Sequence, residues 1–546
     1  MNNKLPSKTS FKITPLGGLQ QIGSNMILVE SSSTNIIIDC GILFPTEGHL
    51  GVNYLIPDLN YISDINIDAL IITHGHEDHI GAITHFIDRF PNVPIYTSDF
   101  TALLIRKKIN ELKISKKLNI YKEEHTLSFG NMRVHPVSVN HSIPETFGLF
   151  FQDINTNESF FYCSDFKIDE SSIYESPFNF EKLVSLRNKA SRFYLLPDST
   201  NIMSSNLETP SETSLIDSFS DIFSSDYSRI FITTFSSNIW RIKSIIHAAT
   251  LNNLKIVSYG RSFKSYIAIA VENGLITPDE LKSFATEQSI GDINKKHIVL
   301  LSGCQADFRS ALRRVGGGED KTYKPNNNDV FVFSSKAIPG NEKNISLLMN
   351  KISESGAKII TSSDMPIHVS GHPGRDDLLN LYDKVSPDYI FPIHGESFFL
   401  QRHCDFAASH GYKSDWLTNY SSLLLGDGYK IQYLDEDFLH DSIHGKRKII
   451  NRDQLRERRK IAERGLIIVS EFKKGYEITT QGIPEVGTFE GENFNTVDEL
   501  SKSFSRIHEK IFEIVKVELR REVVKLFGYK PEVIFHTYKK ASKQEA

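Results

Sequence analysis

The sequence predicts a multidomain α/β protein, in which one α/β domain is interrupted by a second and followed by a small third. Three observations predict it. Short apolar runs end repeatedly in a His or an Asp, as strands do when their ends share one polar edge. From about Glu208 to Asp364 this pattern gives way to helices alternating with parallel-type strands, and then the first pattern resumes. Beyond a basic run, an apolar strand, a long amphipathic helix and a final strand form a separate tail. The 546 residues suit roughly two to four domains.

Composition narrows the class. A hydrophobic content of 40% with 24% charged residues fits a globular chain. The net charge of -5 leaves no whole-chain basic field, so any nucleic-acid binding must use a local patch. Cys40, Cys163, Cys304 and Cys404 lie far apart without CxxC spacing, which predicts a reducing compartment and no disulfide framework. Met1 to Ser10 is polar, unlike a signal peptide, and no apolar run is long enough to span a membrane. The expectation is a cytoplasmic protein with no membrane contact.

In chain order, Phe11–Gly18 and Asn25–Glu30 read as strands joined through glycines. Asn35–Gly41 reads as a third strand that carries Asp39 near its end. An acid there can accept a hydrogen bond from a ligand histidine; a turn residue before Gly41 is the alternative. Ala69–Ile72 reads as a buried strand leading into Thr73-His74-Gly75-His76-Glu77-Asp78-His79-Ile80-Gly81-Ala82. Three imidazoles and a carboxylate within six residues form a dense ligand set, suited to zinc with manganese as an alternative. His74 and His76 can face one position from an extended loop, while Asp78 and His79 face a second. One run can therefore seed two metal sites.

Ile80–Phe90 and Phe100–Leu112 read as helices around a strand at Pro94–Tyr96. Arg133–Val139 alternates like a strand and leads to His141; Ser159–Cys163 leads to Asp165, and Arg192–Leu196 to Asp198. Any one such residue is commonly structural, and it is the repetition at successive strand ends that points to a site. Within the interrupting region, Arg229–Thr234, Leu254–Ser258, His297–Leu301 and Asp329–Phe333 read as strands, with a helix over Asn238–Asn252. Their ends carry Ser236-Ser237-Asn238, Gly260-Arg261-Ser262, Ser302-Gly303-Cys304-Gln305 and Ser334-Ser335. Such loops can hold phosphate oxygens through backbone N–H groups, and ordinary turn chemistry accounts for them equally well. Ile367–His372 reads as the end of a strand, Asp376–Lys384 as a helix, and Tyr389–Glu396 as a strand that includes His394. A linker follows over Gly426–Lys448. Lys446–Arg464 then holds nine Lys or Arg against three acids, either as a solvated helix face or as a contact for phosphates or a partner subunit. Gly465–Ser470, Val497–Phe527 and Pro531–Tyr538 read as strand, helix and strand.

These motifs resemble the metallo-β-lactamase fold of the β-CASP nuclease subfamily, most closely the bacterial ribonuclease J family. The resemblance rests on His74-Gly75-His76-Glu77-Asp78-His79, His141, Asp165, Asp198-Ser199-Thr200-Asn201, Ile338-Pro339-Gly340-Asn341-Glu342, His368-Val369-Ser370-Gly371-His372 and Pro392-Ile393-His394-Gly395-Glu396. It implies an αββα sandwich (1–207 and 365–428) with an inserted β-CASP α/β domain (208–364), a linker (429–452) and a small C-terminal α/β domain (453–546). It also implies two Zn2+, with Mn2+ or Mg2+ as alternatives. His74, His76 and His141 would hold one ion, Asp78, His79 and His394 the other, and Asp165 would bridge them.

By the same resemblance Asp78, His372 and Asp198 are catalytic. Asp198 would orient a histidine, and His372 would contact the scissile phosphate or protonate the leaving oxygen. Ser236, Ser237 and Asn238 with His368, Val369, Ser370, Gly371 and His372 would bind the RNA backbone and its 5′ phosphate. The implied activity is 5′-to-3′ exonuclease, with endonuclease cutting as a second activity, on single-stranded and preferably 5′-monophosphorylated RNA in RNA maturation and decay. The implied assembly is a homodimer or homotetramer. One departure is visible: Gly303-Cys304-Gln305-Ala306-Asp307 stands where the family usually shows Gly-Ser-Gln-Gly-Glu. Rival readings are a small-molecule hydrolase of the same fold, disfavoured by an insert of about 160 residues, a DNA-processing or RNA 3′-end nuclease of the same subfamily, and a non-catalytic binding or scaffold protein, disfavoured by the complete ligand set.

Overall fold

The computed structural model describes residues 9–537 apart from 33, 47–48, 291, 293, 308–309, 339, 434–439, 446, 465, 473–474, 482–485, 490–491, 496–499, 501–511 and 528–530. It forms two compact units, Met1–Phe44 with Leu55–His440, and Pro45–Tyr54 with Asp441–Ala546. Among the described residues, the first unit contains two sheets that share one core and a third sheet inserted between them in sequence.

The first sheet runs in the order Gly428–Gln432, Ser422–Gly426, Phe11–Gly17, Met26–Glu30, Asn35–Ile38, Ala69–Ile71, Ile95–Thr97 and Leu118–Ile120. The second runs Tyr389–Ile390, Arg192–Leu196, Glu158–Tyr162, Phe147–Asp153, Met132–Ser138 and Leu127–Phe129. Period-2 alternation builds the layers. Leu149, Phe151, Phe160, Tyr162, Tyr194 and Leu196 face the first sheet, where they meet Phe11, Ile13, Ile36 and Ile38. Their neighbours Phe150, Phe161, Phe193 and Leu195 face outward and are covered by Leu378, Leu381 and Tyr382 of the helix Arg375–Val385. The result is a metallo-β-lactamase αββα sandwich.

Strand direction sets the site. Met132–Ser138 and Glu158–Tyr162 are both antiparallel to the strand between them, and Arg192–Leu196 and Tyr389–Ile390 continue parallel to Glu158–Tyr162. All four strands therefore end at one edge. In the first sheet Asn35–Ile38 and Ala69–Ile71 are parallel and end together. The insert is a wholly parallel sheet in the order Phe284–Ala285, Ile256–Tyr259, His297–Leu301, Arg229–Thr233, Asp329–Phe333 and Lys358–Ile360. Its central strands His297–Leu301, Arg229–Thr233 and Asp329–Phe333 are short, mostly apolar runs buried on both faces, as parallel strands between helices require.

The fold departs from the sequence reading in several places. The long strand Phe147–Asp153 was not expected, and it fills the middle of the second sheet. The expected strand at Ile367–His372 is absent, because its carbonyls are taken by side chains. Ser334 Oγ donates to Ile367 O at 2.6 Å, Arg241 Nη2 to Val369 O at 3.0 Å, and His141 Nδ1 lies 2.7 Å from Gly371 O. The strand expected over Tyr389–Glu396 stops at Ile390. Ile393 keeps a single bridge to Asp198, and His394 turns left-handed at φ +52°, which ends the ladder. The helix expected over Ile80–Phe90 is split at Gly81-Ala82 into a single turn, Glu77–Ile80, which carries Asp78 and His79, and a helix Ile83–Arg89. The expected linker 429–452 contains ordered strands: Gly428–Gln432 closes the first sheet, and Asp441–His444 pairs with Lys448–Ile450 as a hairpin.

In the second unit Leu466–Phe472 pairs antiparallel with Gly475–Gln481 and parallel with Glu532–Thr537. The basic run forms the helix Arg452–Arg464, and the amphipathic helix is described over Phe512–Phe527. The expected start of that helix, at Val497, lies outside the described residues. No described helix is long and apolar enough to cross a membrane.

Candidate metal centre

The edge shared by the two sheets gathers the charged and imidazole groups. The buried strand Ala69–Ile71 delivers Thr73, whose N–H and hydroxyl donate to Asp39 Oδ1 at 2.8 and 3.1 Å. That contact ties the histidine loop to the end of the neighbouring strand. The loop packs so closely that Gly41 must lack a side chain: a Cβ there would lie 1.5 Å from the Asp78 carbonyl oxygen.

Two sets of donors surround Asp165. His74 Nε2 and His141 Nε2 lie 3.8 and 3.7 Å from Asp165 Oδ2, and His76 Nδ1 lies 3.2 and 3.1 Å from those two nitrogens. On the other side His79 Nε2 and His394 Nδ1 lie 3.4 and 2.9 Å from Asp165 Oδ1. Asp78 Oδ2 joins this second set, 3.7 Å from His79 Nε2. The two oxygens of one carboxylate thus face different groups. Within each of two groupings, His74, His76, His141 and Asp165, and His79, Asp165 and His394, the potential ligand atoms all lie within 4.8 Å of one another.

The proton inventory says what such a cluster can hold. His141 Nδ1–H donates to Gly371 O at 2.7 Å, so its Nε2 carries a bare lone pair. His79 Nδ1–H donates to Asp39 Oδ2 at 2.7 Å, which leaves its Nε2 facing Asp165 Oδ1 at 3.4 Å; burial works against its charge, but Asp165, Asp39 and Asp78 hold it well above the ordinary histidine range. Thr73 and Ser164 hydroxyls lie 3.1 and 3.4 Å from His74 Nδ1. His394 Nε2 meets the hydroxyl of buried Tyr162 at 2.8 Å, while its Nδ1 is buried without a hydrogen-bond partner. An N–H at His76 Nδ1 can satisfy only one of the two imidazole nitrogens it faces at 3.2 and 3.1 Å, and a cation between the three rings would satisfy them all. Burial, then the neighbouring imidazoles, holds His74 and His76 well below the ordinary histidine range, and burial pulls His141 down to about 4. All three offer neutral nitrogens. Burial opposes the charge on Asp165, but His79 and His394 outweigh it and keep the carboxyl well below its usual range. Neutral imidazoles at His74, His76 and His141 beside an ionised carboxylate, whose charge His79 and His394 face from the other side, fit divalent cations.

Beside this cluster His372 Nδ1 lies 2.6 Å from Asp198 Oδ2. Burial lowers the imidazole's proton affinity, but the Asp198 carboxylate overrides it and lifts His372 to about 9. The loop that carries His372 hangs on Arg241, which is fully buried in the helix Ile239–Leu251. Arg241 pairs with Glu212 at 2.5 and 2.9 Å and donates to Ser334 O and Val369 O.

The expected substrate residues fare unevenly. Ser236 and Ser237 are half-buried in the turn before that helix. Asn238 is committed to protein contacts: its Oδ1 caps the helix at Arg241 N, and its Nδ2 donates to Glu212 at 2.9 Å. His368 Nδ1 lies 3.3 Å from Arg241 Nη1, and burial with that guanidinium pushes it down to about 3. Ser370 Oγ accepts from His372 N–H at 3.1 Å. In the departing motif, Gln305 Oε1 accepts from Ile338 N–H at 2.8 Å and its Nε2 donates to Lys336 O at 3.0 Å, so it ties two insert loops together. Sequence reasoning missed Arg241, Glu212 and Tyr162. The helix Ile239–Leu251 also carries Lys243, Ser244 and His247, so nothing in its sequence singled out Arg241.

Residues 20–139 match the family description "Metallo-beta-lactamase superfamily", residues 227–352 "Ribonuclease J, beta-CASP domain", and residues 366–414 "Zn-dependent metallo-hydrolase RNA specificity domain". A crystal structure of a protein of unknown function from Enterococcus faecalis V583 covers 76% of the chain at TM-score 0.54 and 13% identity, all of that chain being matched, and shares the fold. Sandwich, insert and donor cluster together define a β-CASP metallo-hydrolase with a divalent metal site. Ribonuclease J of Sinorhizobium meliloti is 32% identical over 551 residues, with 95% of both chains covered. That of Synechocystis is 30% identical over 84% of this chain and 72% of its own. That of Helicobacter pylori is 34% identical over 74% of this chain, a match that spans 59% of the relative's length. The chain belongs to the ribonuclease J family.

Proposed function

We propose that the chain is a two-metal ribonuclease that cuts phosphodiesters to leave a 5′ phosphate. The observation that carries this is the approach of His394 Nδ1 to Asp165 Oδ1 at 2.9 Å, although the two residues are 229 positions apart and separated by the insert. His74, His76 and His141 would hold one cation, Asp78, His79 and His394 the other, and Asp165 both. Zinc suits the imidazole-rich set, with Mn2+ or Mg2+ as alternatives. When bound, such a pair supplies an acidified water and clamps the phosphodiester oxygens.

The chain's own groups do the rest. His372, its Nδ1 held by Asp198 at 2.6 Å, would give its Nε2 proton to the 3′ oxygen that departs as water oxygen bonds to phosphorus. The upstream nucleotide leaves with a 3′ hydroxyl and the downstream RNA keeps the phosphate. No side-chain nucleophile is required, so no covalent intermediate forms. The insert walls one side of the centre, which suits a polymer better than a small molecule. The substrate is single-stranded RNA, cut stepwise from a 5′ monophosphate in cytoplasmic maturation and decay, with internal cutting as a second mode, by a homodimer or homotetramer. The test is incubation of 5′-monophosphate and 5′-triphosphate RNA with the chain, with and without chelator. Release of mononucleotides from the monophosphate RNA, abolished by chelator, is expected. Equal decay of both RNAs removes the 5′-end preference, and decay that survives chelation refutes the metal mechanism.

A further inference from the structure

A buried group beside the centre has no part in that proton inventory. Asn25 is 3% exposed and its Oδ1 has no hydrogen-bond partner. Its Nδ2 lies 2.9 Å from His79 Nε2 and 3.3 Å from Asp78 Oδ2. The backbone holds it there: Asn25 N–H donates to Asp78 O at 2.9 Å, and Asn25 O accepts from Gly41 N–H at 3.0 Å. Gly18, at φ +87°, leaves the amide its space, since a Cβ there would lie 2.4 Å from Asn25 Oδ1.

We propose that Asn25 is a ligand of the second cation through its side-chain carbonyl oxygen. The inference rests on the two-cation reading above and adds a residue to it. Donors bound at roughly 2.1 Å to one cation stand roughly 3.0–3.4 Å from one another. The amide end of Asn25 keeps that spacing to both His79 Nε2 and Asp78 Oδ2. His79 keeps its Nδ1–H, donated to Asp39, so Nε2 is the atom whose lone pair a cation takes. The amino group that meets that lone pair would then face a positive charge. A half-turn about the Cβ–Cγ bond exchanges the two ends of the amide, and brings the orphaned oxygen to the cation. The second position then offers oxygen from Asp78, Asp165 and Asn25 with two imidazoles, against three imidazoles and one carboxylate at the first. It is the harder of the two and takes manganese more readily.

Mn2+ binding to the full chain, measured by calorimetry and by metal analysis after dialysis, tests this. The wild type should bind two ions per chain, and fewer than two would refute the two-cation reading whatever Asn25 does. Asn25→Ala should bind the first ion as wild type does and the second at least about 10-fold more weakly. Asn25→Asp keeps an oxygen at that point but has no amino group, and should hold the second ion at least as tightly as wild type. If Asn25→Ala matches wild type, the amide is not a ligand. If Asn25→Asp loses the second ion, the amide serves Asp78 as a donor and the assignment is overturned. Circular dichroism of the metal-free forms checks folding; should Asn25→Ala not fold, the near-isosteric Asn25→Asp decides alone.

Discussion

His141 and His79 each donate the N–H on the far side of the ring to a fixed acceptor, Gly371 O and Asp39 Oδ2, and those acceptors set which nitrogen faces the centre. Asp39 is fully buried and its carboxylate meets His79 Nδ1 and Thr73 together. Asp39→Asn can present an N–H where an acceptor is needed, and should weaken metal binding about 10- to 100-fold, read by chelator competition; wild-type affinity would show that His79 needs no such partner. A different buried histidine reports on stability. His403 sits between Ser199 Oγ, 2.9 Å from its Nδ1, and the Tyr382 hydroxyl, and burial pushes it down to about 3. As pH falls below the ordinary histidine value, about 6.5, the unfolded chain takes up a proton that the folded chain refuses until about 3. The contribution of His403 is complete above pH 6.5 and drains away through that window. His403→Gln should therefore flatten the fall of melting temperature between pH 6.5 and 4.5; parallel curves would remove His403 from the account. At this scale the run His74–His79 was legible because its donors are neighbours in sequence. Tyr162 was not, because an aromatic residue in a buried strand looks the same whether or not its hydroxyl meets a ligand.

Elements place these residues through contacts that periodicity does not encode. Ile367-His368-Val369 has the composition of a strand, yet Arg241 and Ser334 take its carbonyls and hold it as an irregular loop over the centre. Arg241 and Glu212 lie 29 positions apart, so no spacing rule joins them. Arg241→Met leaves the Glu212 carboxylate buried without its cation and should destabilise the first unit by about 3–5 kcal/mol in denaturant unfolding. Adding Glu212→Leu should restore much of that stability without restoring RNA turnover, because the loop that carries His372 remains unanchored. Recovery of turnover in the double variant would show that the pair serves stability alone. The strand Phe147–Asp153 escaped notice for a related reason. Six of its seven residues are buried, so it shows no polar alternation. By contrast His297–Leu301 and Asp329–Phe333 were legible as short apolar runs bounded by polar turns.

At the scale of the whole chain, the insert separates Asp165 and Asp198 from His372 and His394, and the parallel strands Arg192–Leu196 and Tyr389–Ile390 bring them back to one edge. The return was legible in the resumed pattern of strand-end histidines, whereas the closing of the first sheet was not, since Ser422–Gly426 was not expected as a strand and Gly428–Gln432 sits where composition suggested a linker. The central claim is that side chains from both flanks of the insert share a pair of cations. Anomalous diffraction from crystals grown with Mn2+ tests it most directly. Two peaks about 3.5–4 Å apart are expected on either side of the Asp165 carboxylate, with His394 bound to one of them. A single peak, no peak at Asp165, or a pair of ions that leaves His394 unbound would contradict it.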